Sequence, residues 1–194
     1  MNDKVGSLPL HYAEILEESE KLQFSMPSDL QTGILLSTLV ASKPKGRFLE
    51  LGTGTGLSLA WILDGMDELA EVVSIENDEN YLSIARKHFQ HDSRVTLVNE
   101  DANQWILNNQ QRRFDLIFAD AWPGKYEKLN ETLSLLKKGG FYVIDDMLSQ
   151  PNWPLEHPQN VQRLIQELDQ RTDIKCTKMN WSTGIIIATT IDLD

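Results

Sequence analysis

Apolar positions along the chain follow two alternating periods. Short apolar runs occur at "RFLELG" (47–52), "EVVSIE" (71–76), "RVTLVNE" (94–100), "FDLIFAD" (114–120) and "GFYVIDD" (140–146), each the length of a strand. Helical patterns lie between them, near 57–66, 78–90, 101–109 and 125–137. Upstream, an amphipathic helix over roughly 9–24 precedes "SMPSDLQTGILLSTLVAS", a loop with Ser28 or Asp29 as cap and then a helix to about 42. Downstream, a helix near 158–171 leads into "IKCTKMNWSTGIIIATTI" (174–191), two strand-like runs around a Ser-Thr-Gly turn.

Strands alternating with helices predict parallel βαβ units. The expected fold is α/β and Rossmann-like: a doubly wound, mostly parallel, seven-stranded sheet with helices on both faces and a C-terminal β-hairpin. No repeat, low-complexity tract or linker divides the 194 residues, so a single domain is expected. Within it, residues 1–42 are read as a helical cover and 43–194 as the core. Ligands of such sheets collect at the carboxyl ends of the strands. Glu50, Glu76, Glu100, Asp101, Asp120, Asp145 and Asp146 all fall there, a regularity that surface charge alone does not require.

Composition narrows the partners. A formal net charge of −11 argues against binding a phosphate backbone, which needs a basic surface. The short basic clusters "KPKGR" (43–47), Arg112-Arg113 and Lys137-Lys138 read as loop or helix-end charge. No apolar run approaches the ~18 residues of a membrane span, and the N-terminus lacks the layout of a signal peptide. A lone Cys176 excludes an intramolecular disulfide and argues against a zinc cluster. A cytoplasmic protein with a small-molecule partner, and neither nucleic acid nor membrane, is expected.

The most informative stretch is "FLELGTGTGLSLAWIL" (48–63), where Gly52, Gly54 and Gly56 join a strand to a helix. Glycine removes the Cβ that would keep a ligand away from the backbone, and the following helix offers unpaired N–H groups. Glu76 ends the second strand, placed to accept hydrogen bonds from a ribose diol. The spacing is GxGxG, not the GxGxxG of dinucleotide enzymes, and Glu50 stands two residues before the first glycine. A carboxylate there would repel a pyrophosphate but suits a ligand carrying positive charge, such as S-adenosylmethionine. The sequence "GLSLA" (56–60) also approaches a hydrolase elbow, but that elbow places its serine directly after the strand, and here the glycine loop intervenes.

"FLELGTGTG", "VVSIEND" and "VNEDANQWI" resemble the successive motifs of class I S-adenosylmethionine-dependent methyltransferases. "FDLIFADAWPGKY", "LLKKGGFYVIDDML", "STGIIIATT" and the upstream "MPSDLQTGILLSTLV" resemble the small O-methyltransferase branch that includes catechol and caffeoyl-CoA enzymes. The resemblance implies that Glu50, Gly52, Gly54 and Gly56 surround the methionine part of the cofactor, and that Ser58 holds its carboxylate. It implies Glu76 on the ribose, Asp101 and Ala102 beside the adenine, and Trp122 packing nearby. Asp120 would face the sulfonium as the catalytic residue. With Asp145 and Asp146 it would hold a divalent ion, magnesium or calcium, whose hard oxygen ligands these aspartates supply. A homodimer is also compatible with the resemblance.

Two positions depart from that branch. Asp146 stands where the branch carries Asn, and Pro123 stands where catechol-type enzymes carry a catalytic lysine. Lys125 lies two residues further on, and His157, in a Pro-rich loop with Trp153, is another candidate base. His88 and His91 have a metal-compatible spacing but read as solvated or capping residues. The expected activity is therefore methyl transfer to a small molecule, most simply O-methylation. An NAD-dependent oxidoreductase and a noncatalytic S-adenosylmethionine-binding protein remain the alternatives.

Overall fold

The structure, a computed structural model, describes residues 6–191. Its strands are β1 (Arg47–Leu51), β2 (Glu71–Glu76), β3 (Val95–Asn99), β4 (Phe114–Ala119), β5 (Leu136–Ile144), β6 (Ile174–Met179) and β7 (Ile185–Thr190). They form one sheet in the order β3-β2-β1-β4-β5-β7-β6. The first five are parallel, and β7 runs antiparallel to both β5 and β6. This is the expected Rossmann-like sheet with its C-terminal hairpin.

Each strand feeds both faces of the sheet by its period of two. Phe48, Val72, Leu116 and Phe118 pack towards α1 (Tyr12–Lys21), α2 (Leu30–Ala41), α3 (Leu57–Gly65) and α4 (Glu79–Phe89). Leu49, Leu51, Ile75 and Ile117 pack towards α5 (Ala102–Asn108), α6 (Leu129–Ser134) and α7 (His157–Gln170). Strands buried on both faces read as continuous apolar runs, which is why their positions are legible. The N-terminal helices contribute Tyr12, Ile15, Leu36 and Val40 to the first of these cores. The strap between them, residues 22–29, brings Ser28 to Asp120, the residue that follows β4. His88 of α4 bonds Glu18 of α1 at 3.0 Å, tying two helices together.

One stretch departs from expectation. The helical pattern over 125–137 yields only the six residues of α6. Trp122 O accepts from the amides of Lys125, Tyr126 and Glu127, and Gly124 N donates back to Glu127 O at 2.7 Å, so the chain turns before it can coil. The helix stops because β5 begins at Leu136, four residues before the expected start. Leu136 pairs with Phe114 and Phe141 with Leu116, so the intervening residues bulge out of register around Gly139.

Candidate functional site

The sheet order reverses between β1 and β4, and the crevice outside their carboxyl ends is where open α/β sheets take ligands. Asp120 N donates to Leu51 O at 3.0 Å, so the glycine loop and the Asp120 loop leave the sheet side by side. Gly52 has φ +99°, and a Cβ there would lie 3.0 Å from Asp120 O; both the conformation and the space demand glycine. Gly54 points away from the sheet, beneath the ring of Phe24 in the strap, where a Cβ would come within 2.8 Å. Gly56 caps α3 and packs on Ala85 of α4.

Two carboxylates hold this loop, in different ways. Glu76 accepts from Gly54 N at 2.9 Å through one oxygen, and from Asn77 N and Asp78 N at 2.9 and 3.0 Å through the other. It fixes the tip of the loop from the next strand. Glu50 is fully buried, beside Ser74 across the β1–β2 pair, and accepts from Ser74 and, at 2.6 Å, from Ser58 of α3. Burial pushes its carboxyl up to about 7, against the lowering effect of the two hydroxyls. Ser58 therefore spends its proton on Glu50. Asp101 caps α5 by accepting from Gln104 N at 3.0 Å, and Ala102 opens that helix, buried.

Beyond Asp120 the crevice widens into a cavity of about 480 Å³. A smaller hollow of about 20 Å³ lies against the glycine loop, and the two share Met26, Pro27, Ser28 and Asp120. Ser28 does not cap α2, which Asp29 precedes; it donates to Asp120 Oδ2 at 2.9 Å. Burial and the nearby Asp145 hold the Asp120 carboxyl well above the usual carboxylate range, with Lys125 opposing them. Asp145 accepts from Thr183 and from Asp146 N, and burial raises its carboxyl too. Asp146 takes a left-handed backbone, φ 59°, and both its oxygens accept from Trp153 Nε1 at 2.8 Å.

Trp153 stacks on His157, rings 4.1 Å apart and 2° from parallel. His157 Nε2 bonds the Tyr126 hydroxyl at 2.8 Å and lies 3.6 Å from Asp146 Oδ2. Burial, then the charge of Lys125, lowers its affinity for a proton. Trp122 meets both Tyr126 and His157 edge-on. Lys125 is 2% exposed and lines the cavity, with its Nζ 5.1 Å from the Tyr126 ring centroid. Among the described residues its ammonium has neither a hydrogen bond nor a carboxylate oxygen within 4.0 Å. Burial pulls its pKa down, against the pull of Asp120, Asp146 and Asp145.

The three aspartates thus line one cavity, but the donor set does not fit a divalent ion. Among the described residues no three His, Cys, Asp or Glu side chains converge as a metal centre requires. Asp145 and Asp146 are engaged by Thr183, a backbone amide and Trp153, and a buried cation already faces them. The partners of these groups had no sequence signal, because Ser28, Ser74, Trp153 and Thr183 come from four separate segments. For Lys125 the only sequence signal was its nearness to the strand-ending Asp120.

A family model described as a methyltransferase domain matches residues 49–147, about half of the chain. The chain belongs to this methyltransferase family. The matched span of this methyltransferase domain runs from β1 through the glycine loop to the residue after Asp146. Among curated relatives, the O-methyltransferase hkm8 of Aspergillus hancockii is 32% identical over 137 residues, 67% of this chain and 54% of that protein. The chain spans about half the length of the curated relatives it matches. Solved structures that share its fold include two O-methyltransferases. The O-methyltransferase TomG of Streptomyces achromogenes superposes with a TM-score of 0.82 at 20% identity, covering 96% of this chain and 92% of that one. An O-methyltransferase from Bacillus cereus gives 0.82 at 22% identity, covering 97% and 94%. No helix among the described residues is long and apolar enough to cross a membrane.

Proposed function

We propose that this methyltransferase domain moves the methyl group of S-adenosylmethionine to an oxygen of a small acceptor held in the 480 Å³ cavity. The observation that carries the reading is the shared wall of Met26, Pro27, Ser28 and Asp120 between the glycine-loop hollow and the cavity. A donor on the loop and an acceptor in the cavity meet beside Asp120. The TomG structure is a complex with S-adenosylmethionine and the Bacillus cereus structure one with S-adenosylhomocysteine, which supports the same choice of cofactor here.

The residues fit that cofactor by their chemistry. The loop of Gly52, Gly54 and Gly56 is where the methionine part lies, against a backbone without Cβ atoms. Glu76 carries acceptor lone pairs at the loop tip for the ribose diol, and Asp101 and Ala102 border the adenine, with Trp122 packing nearby. Glu50 and Ser58 lie behind the loop as a buried pair that fixes its floor; Ser58, which lines the hollow, turns its hydroxyl from Glu50 to hold the cofactor's carboxylate. Asp120 faces the sulfonium. The cofactor supplies an activated methyl; the chain binds both reactants and aligns them, and alignment alone can lower such a barrier by several kcal/mol. Phe24 covers Gly54, so its ring must swing aside for the cofactor to enter. The family resemblance extends the proposal to a homodimer, and the formal net charge of −11 supports a small-molecule partner over nucleic acid.

Calorimetric titration with S-adenosylhomocysteine, with NAD as the control ligand, tests this reading. Binding of the first and not the second is the expected result. Binding of NAD, or of neither, overturns it.

A further inference from the structure

An ammonium with no hydrogen bond and no carboxylate within 4.0 Å among the described residues, on a side chain 2% exposed at a cavity wall, needs an acceptor that those residues do not supply. Lys125 is such a group. It lines the same cavity as Asp120, Asp145 and Asp146, and those carboxylates do not form a group that could hold a metal ion. Asp146 is turned onto Trp153 Nε1 with both oxygens, and Asp145 onto Thr183 and the Asp146 amide. The positive charge of this site is thus built into the chain.

We infer that the domain works without a divalent metal, and that Lys125 receives the oxyanion of an acceptor carrying a single ionisable hydroxyl, a phenol-class molecule. This inference rests on the proposed methyl transfer. A divalent ion collects six or more oxygens and favours an acceptor with two adjacent ones. An ammonium is a compact point charge with three donors, and it can pair with a single oxyanion without a second adjacent oxygen. Trp122 and Trp153 flank the same cavity and suit a planar ring.

The step balances with no further base. The acceptor binds as its oxyanion, its proton already left to solvent, and pairs with the Lys125 ammonium. The oxygen forms a bond to the methyl carbon as the carbon–sulfur bond breaks, and the electron pair of that bond returns to sulfur. Negative charge on oxygen and positive charge on sulfur are cancelled together, leaving a methyl ether and a thioether. Lys125 keeps its proton throughout, so the absence of a lysine at Pro123 removes nothing that this route uses.

The test is a titration of the full chain, saturated with S-adenosylhomocysteine, with 4-nitrophenol, whose phenolate absorbs in the visible and whose phenol does not. Near the free phenol's pKa, binding should raise the phenolate absorbance, equally with magnesium and with EDTA. Lys125→Met should weaken binding at least about tenfold and abolish the rise, as loss of a charged hydrogen bond predicts, while Lys125→Arg should keep most of it. Dependence on magnesium, loss of the signal in EDTA, no signal in the wild type, or an unchanged signal in Lys125→Met would each overturn the inference. Titration of the same samples with S-adenosylhomocysteine separates the two levels. If that ligand does not bind, the methyl-transfer reading fails and this inference falls with it; if it binds and the phenolate signal ignores Lys125, only this inference fails.

Discussion

The glycine loop and the cavity beyond Asp120 lie on either side of one shared wall, yet they are made differently. The loop is held mainly through backbone: Gly52 and Thr53 donate to Ile75 O, and Glu76 grips the amides of Gly54, Asn77 and Asp78. Its residues come from two adjacent strand ends. The cavity is held through side chains: Ser28 on Asp120, Thr183 on Asp145, Trp153 on Asp146, Tyr126 on His157. Those residues come from segments up to about 150 positions apart. A backbone-built half can serve many sequences that share one ligand, whereas a side-chain-built half is specific to its own acceptor.

Three substitutions probe that contrast. The largest effect is expected at Glu50, the buried exception in the loop half. Its carboxyl is raised from an ordinary 4.5 to about 7 by burial, so the folded state holds a proton that the unfolded chain releases. Stability from this group is therefore present below about 4.5 and lost as pH rises through about 7. Glu50→Gln should stabilise the protein by up to about 3 kcal/mol at about pH 8.5, and by much less at about pH 5. Denaturant melts at the two pH values check this, and a pH-independent effect would remove Glu50 as the titrating group. Ser58 and Ser74 can turn their hydroxyls to serve an amide, so the packing survives.

Glu76→Ala comes next. It removes a carboxylate that both anchors Gly54 and is proposed to take the ribose, and should cost about 2 kcal/mol of S-adenosylhomocysteine affinity, roughly thirtyfold. Calorimetry reads this directly; an unchanged Kd would end the ribose assignment. Trp153→Phe should have the smallest effect. It keeps a ring against His157 but deletes the indole N–H that serves Asp146, at a stability cost of about 1–2 kcal/mol. Affinity for S-adenosylhomocysteine should not move, because Trp153 lines only the cavity. A parallel loss of cofactor affinity would show that the two halves are coupled and blunt the comparison.

How legible each half was follows from the same difference. The five parallel strands announce themselves as apolar runs ending in carboxylates, and the glycine loop and Glu76 sit at a spacing that the βα connection imposes. The bulge that starts β5 at Leu136 and shortens α6 was not visible. Local helix pattern competes there with a strand pairing to Phe114, and only the partner strand settles which prevails. The hydroxyl partners of Glu50 show the same limit: Ser58 is eight residues away and legible as a neighbour, while Ser74 enters by strand register alone.

The sequence by itself determined the order of strands and helices, the Rossmann-like sheet, the glycine loop and the strand-end acids, because periodicity and short-range spacing act within a few turns of chain. Tertiary structure decided which acids are free and which are spoken for, that Lys125 is buried with no hydrogen bond or carboxylate within 4.0 Å among the described residues, and that the strap carrying Phe24 and Ser28 closes over the loop. Those outcomes depend on which distant side chain reaches a buried polar group first, and on the cost of leaving any such group unpaired.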